Sequence, residues 1–315
     1  GAVRTAAKAA GKAHGMVYDR LFIRHWDSWA DGTRNHLFSV KLDTPDTATD
    51  LMPGFDGDSP SQPFGDDDDF ALSPDGREVT FSARVAGKTE PWSTNFDLWT
   101  VPLDASRPPV NITPDNPAED VGPSYSPDGS KLAWRAMKRP GFEADRFGVM
   151  VRDLKTGKTR EVDTSFDRSA DRIAWSADGR GLYLTAGDTG TQRLFRLDIA
   201  TGAVRPLTTG GHVDGFDLAG KTLVLARNSL AAPSELYRLA DKGGLVPLTQ
   251  ANRAALSGVA MSEYEPFTFA GWNGETVHGY VMRPHGWQAG KAYPTAFIIH
   301  GGPQGSFGDG WSFRW

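Results

Sequence analysis

The feature that most constrains the fold is a short turn sequence that recurs along the chain. It occurs at residues 73–76, 126–129 and 176–179, with a degenerate copy at 217–220, and the copies start 53, 50 and 41 residues apart. In Ser-Pro-Asp-Gly, proline presets φ, aspartate bonds back onto the turn, and glycine accepts the positive φ that closes a hairpin. Each copy therefore predicts a tight turn between two antiparallel strands.

Alternating strand patterns flank these turns, as in residues 131–134 and 181–184. A second hairpin follows later in each unit, most clearly around Thr201 and Gly202. Periods of 40 to 50 residues are typical of a four-stranded propeller blade. Residues 37–42 resemble one more outer strand, so the chain contains four clear blades and a fragment. The fold class predicted is mainly β, an incomplete β-propeller with four to five blades visible.

The amino-acid composition limits which binding partners and which reactive or metal-binding groups the chain can have. The chain has 36 glycines, 21 prolines and 10 tryptophans, as expected for many turns joining aromatic-rich strands. It has no cysteine, which excludes disulfides, thiolate zinc sites and a cysteine nucleophile. A formal charge of −5 offers no basic field for nucleic acid or an anionic membrane. We expect no cofactor and no metal, since the histidines form no H-E-x-x-H pattern.

The repeat stops after Thr249, and a different pattern begins. Two strands within residues 264–284 meet at Asn273-Gly274, a strong hairpin signal. An apolar run at 296–299 then ends at His300-Gly301-Gly302, followed by Pro303. A buried strand leading into a glycine loop is typical of an α/β sheet. We therefore expect 1–255 to be propeller blades and a second, α/β domain to begin in 256–315.

The glycine loop is the strongest chemical signal in the chain. In α/β-hydrolases the loop after an early strand supplies a backbone N–H to the oxyanion of the tetrahedral intermediate, and His-Gly-Gly is one form of that loop. Pro303 has no N–H to donate, so the donor lies at Gly301, Gly302 or beyond. An ordinary turn that ends a strand is the alternative interpretation, and the loop alone leaves it open.

Taken together, the repeated turns, the hairpin at Asn273-Gly274 and the sequence from His300 resemble the prolyl oligopeptidase family of serine peptidases. Residues 19–27 and 300–315 look most like its bacterial dipeptidyl-peptidase V and acylaminoacyl-peptidase subgroup. The resemblance covers nearly the whole chain. It implies that 256–315 are the first strands of a truncated α/β-hydrolase domain, which carries Ser, Asp and His in that chain order, and that the propeller admits only short peptides.

The resemblance implies few site residues within these 315 positions. It places the oxyanion donor on the Gly302 backbone, with His300 and Gly301 as structural members of the same loop. The sequence contains no G-x-S-x-G, so the catalytic Ser, Asp and His are not assigned here and the fragment alone is expected to be inactive. The family implies a full-length enzyme that releases dipeptides or acyl-amino acids from the N-terminus of short peptides, in the bacterial periplasm or secreted.

Other candidates and one other function class remain open. Arg24, His25, Trp26 and Asp27 form a polar and aromatic cluster in which Asp27 offers a carboxylate for a substrate ammonium group, or else they form an ordinary loop. A calcium site is one interpretation of the acidic run 66–69, but a solvated loop is the favoured interpretation. The alternative function is a non-catalytic exported propeller that binds a protein partner; residues 264–303 favour the enzyme. Oligomeric state, including a homodimer, is also open.

Overall fold

The computed structural model describes residues 12, 15, 17–19, 21–241, 243–262, 264–302 and 304–314. Arg20, Pro303 and Trp315, which belong to sequence patterns discussed above, lie outside the described residues. The chain is mainly β, with 38% strand and 5% helix. Within the described ranges no helix is long and apolar enough to cross a membrane.

The chain divides into two compact units. Unit 1 comprises residues 1–145 and 150–159, and unit 2 comprises 146–149 and 160–315. This division does not test the expected boundary between residues 255 and 256, which stays a prediction. Each unit is built mostly from antiparallel strands joined by short turns.

Four meanders of four antiparallel strands make up most of the structure. The first contains β5 (Phe70–Leu72), β6 (Glu78–Ala83), β7 (Asp97–Pro102) and β8 (Val110–Asn111). The second contains β9 (Asp120–Tyr125), β10 (Lys131–Ala136), β11 (Gly148–Asp153) and β12 (Thr159–Glu161). The third contains β13 (Ile173–Trp175), β14 (Gly181–Asp188), β15 (Thr191–Asp198) and β16 (Val204–Pro206). The fourth contains β17 (His212–Ala219), β18 (Thr222–Ser229), β19 (Ala232–Leu239) and β20 (Leu245–Pro247).

Shorter elements flank the meanders. Four strands precede them, namely β1 (Arg24–His25), β2 (Ser28–Trp29), β3 (Phe38–Val40) and β4 (Ala48–Asp50). Helical turns are few, namely Asp67–Asp69, Gly87–Trp92 and Trp272–Gly274 as 3₁₀ turns and α1 (Arg253–Leu256). A hairpin of β21 (Tyr264–Ala270) and β22 (Thr276–Met282) follows the four meanders. No closed sheet is found among the described residues, so the number of blades stays a prediction.

The repeated turns have the chemistry that the sequence predicts. Ser126 Oγ donates to Asp128 Oδ1 at 2.6 Å and accepts from the Lys131 amide at 2.9 Å. The same pair of contacts recurs around Ser73 and around Ser176. The turn glycines all have positive φ between 58° and 67°, at Gly76, Gly129, Gly179 and Gly220. These residues are therefore structural, because their polar groups are used within the turn.

A second repeated contact holds each meander together at its other end. Two residues after each fourth strand, a side-chain oxygen accepts a backbone N–H from the third strand. The pairs are Thr113 with Leu98 at 2.8 Å, Asp163 with Val149 at 2.8 Å, Thr208 with Leu194 at 3.0 Å, and Thr249 with Leu236 at 2.9 Å. The first three acceptors are buried, so each satisfies an amide that water does not reach.

Apolar residues that alternate along the strands form separate cores. In unit 1, Phe81 and Met52 are fully buried in one cluster, and Leu132 and Trp134 belong to another. In unit 2, the cluster is formed by Leu194, Val213, Phe216, Leu223 and Leu225. In β6 the apolar residues Val79, Phe81 and Ala83 alternate along the strand, and all three belong to the first cluster.

The last part of the chain confirms one prediction and corrects another. The hairpin at Asn273-Gly274 is present: Asn273 has φ 56° and Gly274 has φ 75°, and Ala270 pairs with Thr276. The predicted buried strand at 296–299 is wrong, since these residues form no strand and Phe297 is 79% exposed. An apolar run becomes a strand only when neighbouring strands pair with it, and the described residues supply no such partner.

Thr208 provides a test of the contact at the meander ends. Replacing it with valine keeps the shape but leaves the Leu194 amide unsatisfied in a site where Thr208 is 3% exposed. We expect Thr208→Val to lower the free energy of unfolding by about 1–3 kcal/mol, measured by urea titration. The neighbouring Thr209 is exposed and provides the control, so Thr209→Val should change stability little. Equal effects of the two substitutions would contradict the role of Thr208.

Asp120 gives the stability a dependence on pH. Its carboxylate is 2% exposed and accepts from Trp134 Nε1 at 2.6 Å and from Asn116 Nδ2 at 3.0 Å. Burial raises its pKa from 3.8 to about 7, and these two donors oppose the rise. The unfolded chain ionises first, so the contribution of this group is complete below pH 4 and is lost as pH rises through about 7.

We therefore expect the melting temperature to fall between pH 5 and pH 8 by a smaller amount in Asp120→Asn than in the unsubstituted protein. Glu119, whose pKa burial also raises to about 7, contributes in the same window, so some dependence remains. Thermal melting followed by circular dichroism measures the effect. Asp128 is the control, since its hydrogen bonds lower its pKa and keep it ionised over this range. A fall of the same size in Asp120→Asn as in the unsubstituted protein would show that Asp120 does not titrate as described.

Candidate active site

The loop at 300–305 contains a position that only glycine fits. Gly302 has a backbone φ of +149°, a value that L-residues with a side chain rarely adopt. A Cβ at Gly302 would lie 2.7 Å from the Gln304 amide nitrogen and 2.9 Å from its carbonyl oxygen. By contrast, a Cβ at Gly301 would meet open space. The backbone at Gly302 is thus bent in a way that a side chain would prevent.

His300 belongs to the same loop as a structural residue. Its Nδ1 donates to the Gly301 carbonyl at 2.8 Å, and its side chain is exposed. A Cβ at Gly305 would lie 3.2 Å from the Gly301 carbonyl oxygen, so the loop folds back on itself within five residues. Such a turn can present a backbone N–H to solvent or to a ligand, which is what an oxyanion donor requires.

The hairpin β21–β22 has two different faces. On one face the rings of Tyr264 and Tyr280 meet edge to face at 5.9 Å, and Tyr280 lies against Gly190. Tyr264 also donates its hydroxyl to Asp309 at 2.7 Å, and burial together with this carboxylate raises the pKa of Tyr264 to about 12. The other face is apolar and exposed, with Phe267 and three further side chains, namely Phe269, Val277 and Val281.

The candidate substrate cluster near the N-terminus lies in unit 1 and the glycine loop in unit 2. Arg24 Nη1 donates to the Trp26 carbonyl, and the His25 ring lies 5.0 Å from Trp26 and 5.3 Å from Phe64. Trp26 is 74% exposed, and Asp27 is exposed in the same turn between β1 and β2. The turn thus offers a carboxylate beside aromatic rings, and its role in substrate binding stays a prediction.

A serine, an aspartate and a histidine lie close together in unit 2, but they are not arranged in space as a catalytic triad. Ser234 Oγ donates to Asp214 Oδ2, while His212 Nε2 lies 3.9 Å from Asp214 Oδ1. The carboxylate therefore lies between the hydroxyl and the imidazole. In a catalytic triad the imidazole must contact the hydroxyl to remove its proton. This cluster is a structural network, which Asn228 extends by donating to Asp214 at 2.6 Å.

The acidic run 66–69 forms a turn that its own carboxylate stabilises. The carboxylates of Asp66, Asp67 and Asp68 lie within 4.8 Å of one another, and Asp66 Oδ1 accepts the Asp68 amide at 2.9 Å. Exposed carboxylates at the start of a 3₁₀ turn are sufficiently explained by this capping bond.

Sequence reasoning missed one residue of this region. Asp309 is 6% exposed, and side-chain and backbone donors from three other segments of unit 2 bind its carboxylate. By contrast, Phe313 in the same segment is 91% exposed. The signal available was a single acidic residue between two glycines, Gly308 and Gly310, in a tail rich in glycine and aromatic residues.

Comparison with known proteins gives relatives over nearly the whole chain. Dipeptidyl-peptidase 5 of Porphyromonas gingivalis is 31% identical over 308 residues, which cover 96% of this chain and 45% of that protein. Dipeptidyl-peptidase 5 of Trichophyton schoenleinii is 34% identical in an alignment 339 residues long, which covers 98% of this chain and 46% of that protein. This chain is a homologue of proteins named dipeptidyl-peptidase 5. The resemblance drawn from the sequence is therefore confirmed.

A solved structure supports the fold. Acylaminoacyl peptidase in complex with Z-Gly-Gly-Phe-chloromethyl ketone superposes with a TM-score of 0.75 at 15% identity, covering 97% of this chain and 45% of that chain. No protein-family model matches the sequence. The chain spans about half the length of the curated relatives it matches.

Proposed function

We propose that this chain is part of a serine peptidase that releases dipeptides or acyl-amino acids from the N-terminus of short peptides. The observation that carries the proposal is the bend at Gly302, which only glycine fits, in a chain that aligns with dipeptidyl-peptidase 5 over 96% of its length. We place the catalytic Ser, Asp and His outside residues 1–315, since these residues contain no G-x-S-x-G and align with only 45% of a dipeptidyl-peptidase 5. The 315 residues alone are then inactive. A periplasmic or secreted location belongs to the same proposal.

The chemistry assigned to Gly302 is electrostatic. A serine Oγ attacks the scissile carbonyl carbon while histidine takes the hydroxyl proton, and the carbonyl oxygen becomes an oxyanion. The Gly302 N–H donates to that oxyanion. The C–N bond then breaks, histidine returns the proton to the leaving amine, and water hydrolyses the acyl-enzyme ester. A donor fixed before the reaction stabilises this charge without reorganising, which is why a rigid, glycine-only bend suits the role.

Asp27 is the proposed partner of the substrate's free amine. It is an exposed carboxylate on a turn with Trp26, and a carboxylate pairs with an ammonium group. This part of the proposal applies to dipeptide release. A comparison of KM for free and N-acylated peptides in Asp27→Asn tests it separately from the chemistry at Gly302, since only the free peptides should bind more weakly.

The first experiment is the intact mass of the natural polypeptide, combined with labelling by a fluorophosphonate probe that reacts with an activated serine. We expect a mass about twice 34.1 kDa, because these residues cover only 45% of a relative, and we expect the label on a serine outside residues 1–315. A mass of 34.1 kDa without any label would overturn the peptidase proposal and leave a propeller that binds a protein partner.

The role of Gly302 has its own test in the natural polypeptide. Gly302→Ala should lower kcat for a fluorogenic dipeptide amide by about 10²-fold or more, because a Cβ 2.7 Å from the Gln304 nitrogen moves the donor. The matched control is Gly301→Ala, which places a Cβ in open space and should change kcat by no more than a few fold. Similar losses in both variants, or none in Gly302→Ala, would remove Gly302 as the oxyanion donor.

A further inference from the structure

The short segment from Gly308 to Trp311 is bound tightly to the meanders of unit 2. A Cβ at Gly308 would lie 2.3 Å from the Gly190 carbonyl oxygen, so the two backbones touch. The Asp309 amide donates to that same carbonyl at 2.6 Å. The Trp311 amide donates to Asn228 Oδ1 at 2.8 Å. We call Gly308 to Trp311 the tail clamp.

The Asp309 carboxylate is the centre of the tail clamp. Its Oδ2 accepts the Gly211 amide at 2.7 Å. Its Oδ1 accepts the Leu230 amide at 3.0 Å and the Tyr264 hydroxyl at 2.7 Å. One side chain thus joins the connection between β16 and β17, the turn between β18 and β19, and the start of β21. Three donors to a single buried carboxylate compensate for removing it from water.

The geometry at the clamp is specific to its residues. Gly211 has φ +69°, a backbone conformation that L-residues rarely adopt, so glycine favours the conformation in which this amide reaches Asp309. The Leu230 amide belongs to a turn between two long strands and has a fixed direction. Without the carboxylate, both backbone donors would lose their partner in a site where Asp309 is 6% exposed. Loss of an acceptor from a buried donor is among the costlier single changes.

The tail clamp also restricts the glycine loop. A Cβ at Gly305 would lie 3.2 Å from the Gly301 carbonyl oxygen, and Asp309 lies only four positions after Gly305. Four residues span at most about 14 Å when fully extended. The C-terminal end of the loop that presents the Gly302 N–H is therefore tied to the ends of the third and fourth meanders through Asp309.

We propose that Asp309 is a positioning residue for the oxyanion donor: by binding the Gly211 and Leu230 amides, it holds the loop that carries Gly302 in place. This inference rests on the proposed function for its catalytic part. The clamp itself rests only on the contacts of Asp309, and the two parts can be measured separately.

The test uses the natural polypeptide with Asp309→Ala, Asp309→Asn and, as control, Asp241→Ala at an exposed aspartate of the same unit. Hydrogen exchange followed by mass spectrometry at single-residue resolution should show exchange at Gly211 and Leu230 about tenfold or more faster in Asp309→Ala. Asp309→Asn should give an intermediate change, because one amide oxygen still accepts. Asp241→Ala should leave both amides unchanged. Unchanged exchange in Asp309→Ala would show that the clamp does not form.

Steady-state kinetics on the same variants test the positioning role. At a temperature where circular dichroism shows all variants folded, kcat for the dipeptide amide should fall about 10-fold to 100-fold in Asp309→Ala, with KM changed less than about threefold, because the donor acts on the transition state. Faster exchange with unchanged kcat would overturn the positioning role and leave a structural clamp. Absence of activity and of fluorophosphonate labelling in the unsubstituted polypeptide would instead overturn the proposed function, while exchange would still report on the clamp.

Discussion

The satisfaction of buried backbone amides organises this structure. Strand pairing satisfies most of them, but a four-stranded meander leaves an amide on its third strand beyond the end of the short fourth strand. A threonine hydroxyl or an aspartate carboxylate placed two residues further along the chain accepts that amide in all four meanders. Asp309 does the same for two amides at once, since its single carboxylate accepts hydrogen bonds from backbone amides of two separate turns.

Turns were the part of the fold that the sequence predicted best. The Ser-Pro-Asp-Gly residues and the Asn273-Gly274 pair act through local contacts and local φ, so their signal is contained in a few consecutive residues. The acceptors at the meander ends could not be found in this way. Thr208 and Leu194 lie 14 positions apart, and only the paired strands between them bring the hydroxyl to the amide. Once the four meanders are aligned, the common offset of two residues becomes visible.

The two misjudged features of the C-terminal part have a common physical origin. Residues 296–299 have the composition of a strand but need pairing partners, and Asp309 looks like a surface residue until the donors around it are known. In both cases the outcome depends on non-local contacts, which composition and periodicity do not contain. The glycine loop was predictable as a chemical motif because its signal is three consecutive residues, whereas the need for glycine at 302 rather than 301 appeared only from the backbone geometry.

The exposed apolar surface near the end of the chain affects how these residues behave in isolation. Phe297 and Ile299 are 79% and 71% exposed in a segment that belongs to no strand or helix, close in sequence to a hairpin whose apolar face is also open to water. Extended segments with free backbone groups and apolar side chains pair with copies of themselves. A preparation of these 315 residues alone is thus prone to concentration-dependent aggregation that begins at its C-terminal part, while the meanders, whose strand-end amides are capped and whose apolar faces are packed, remain folded.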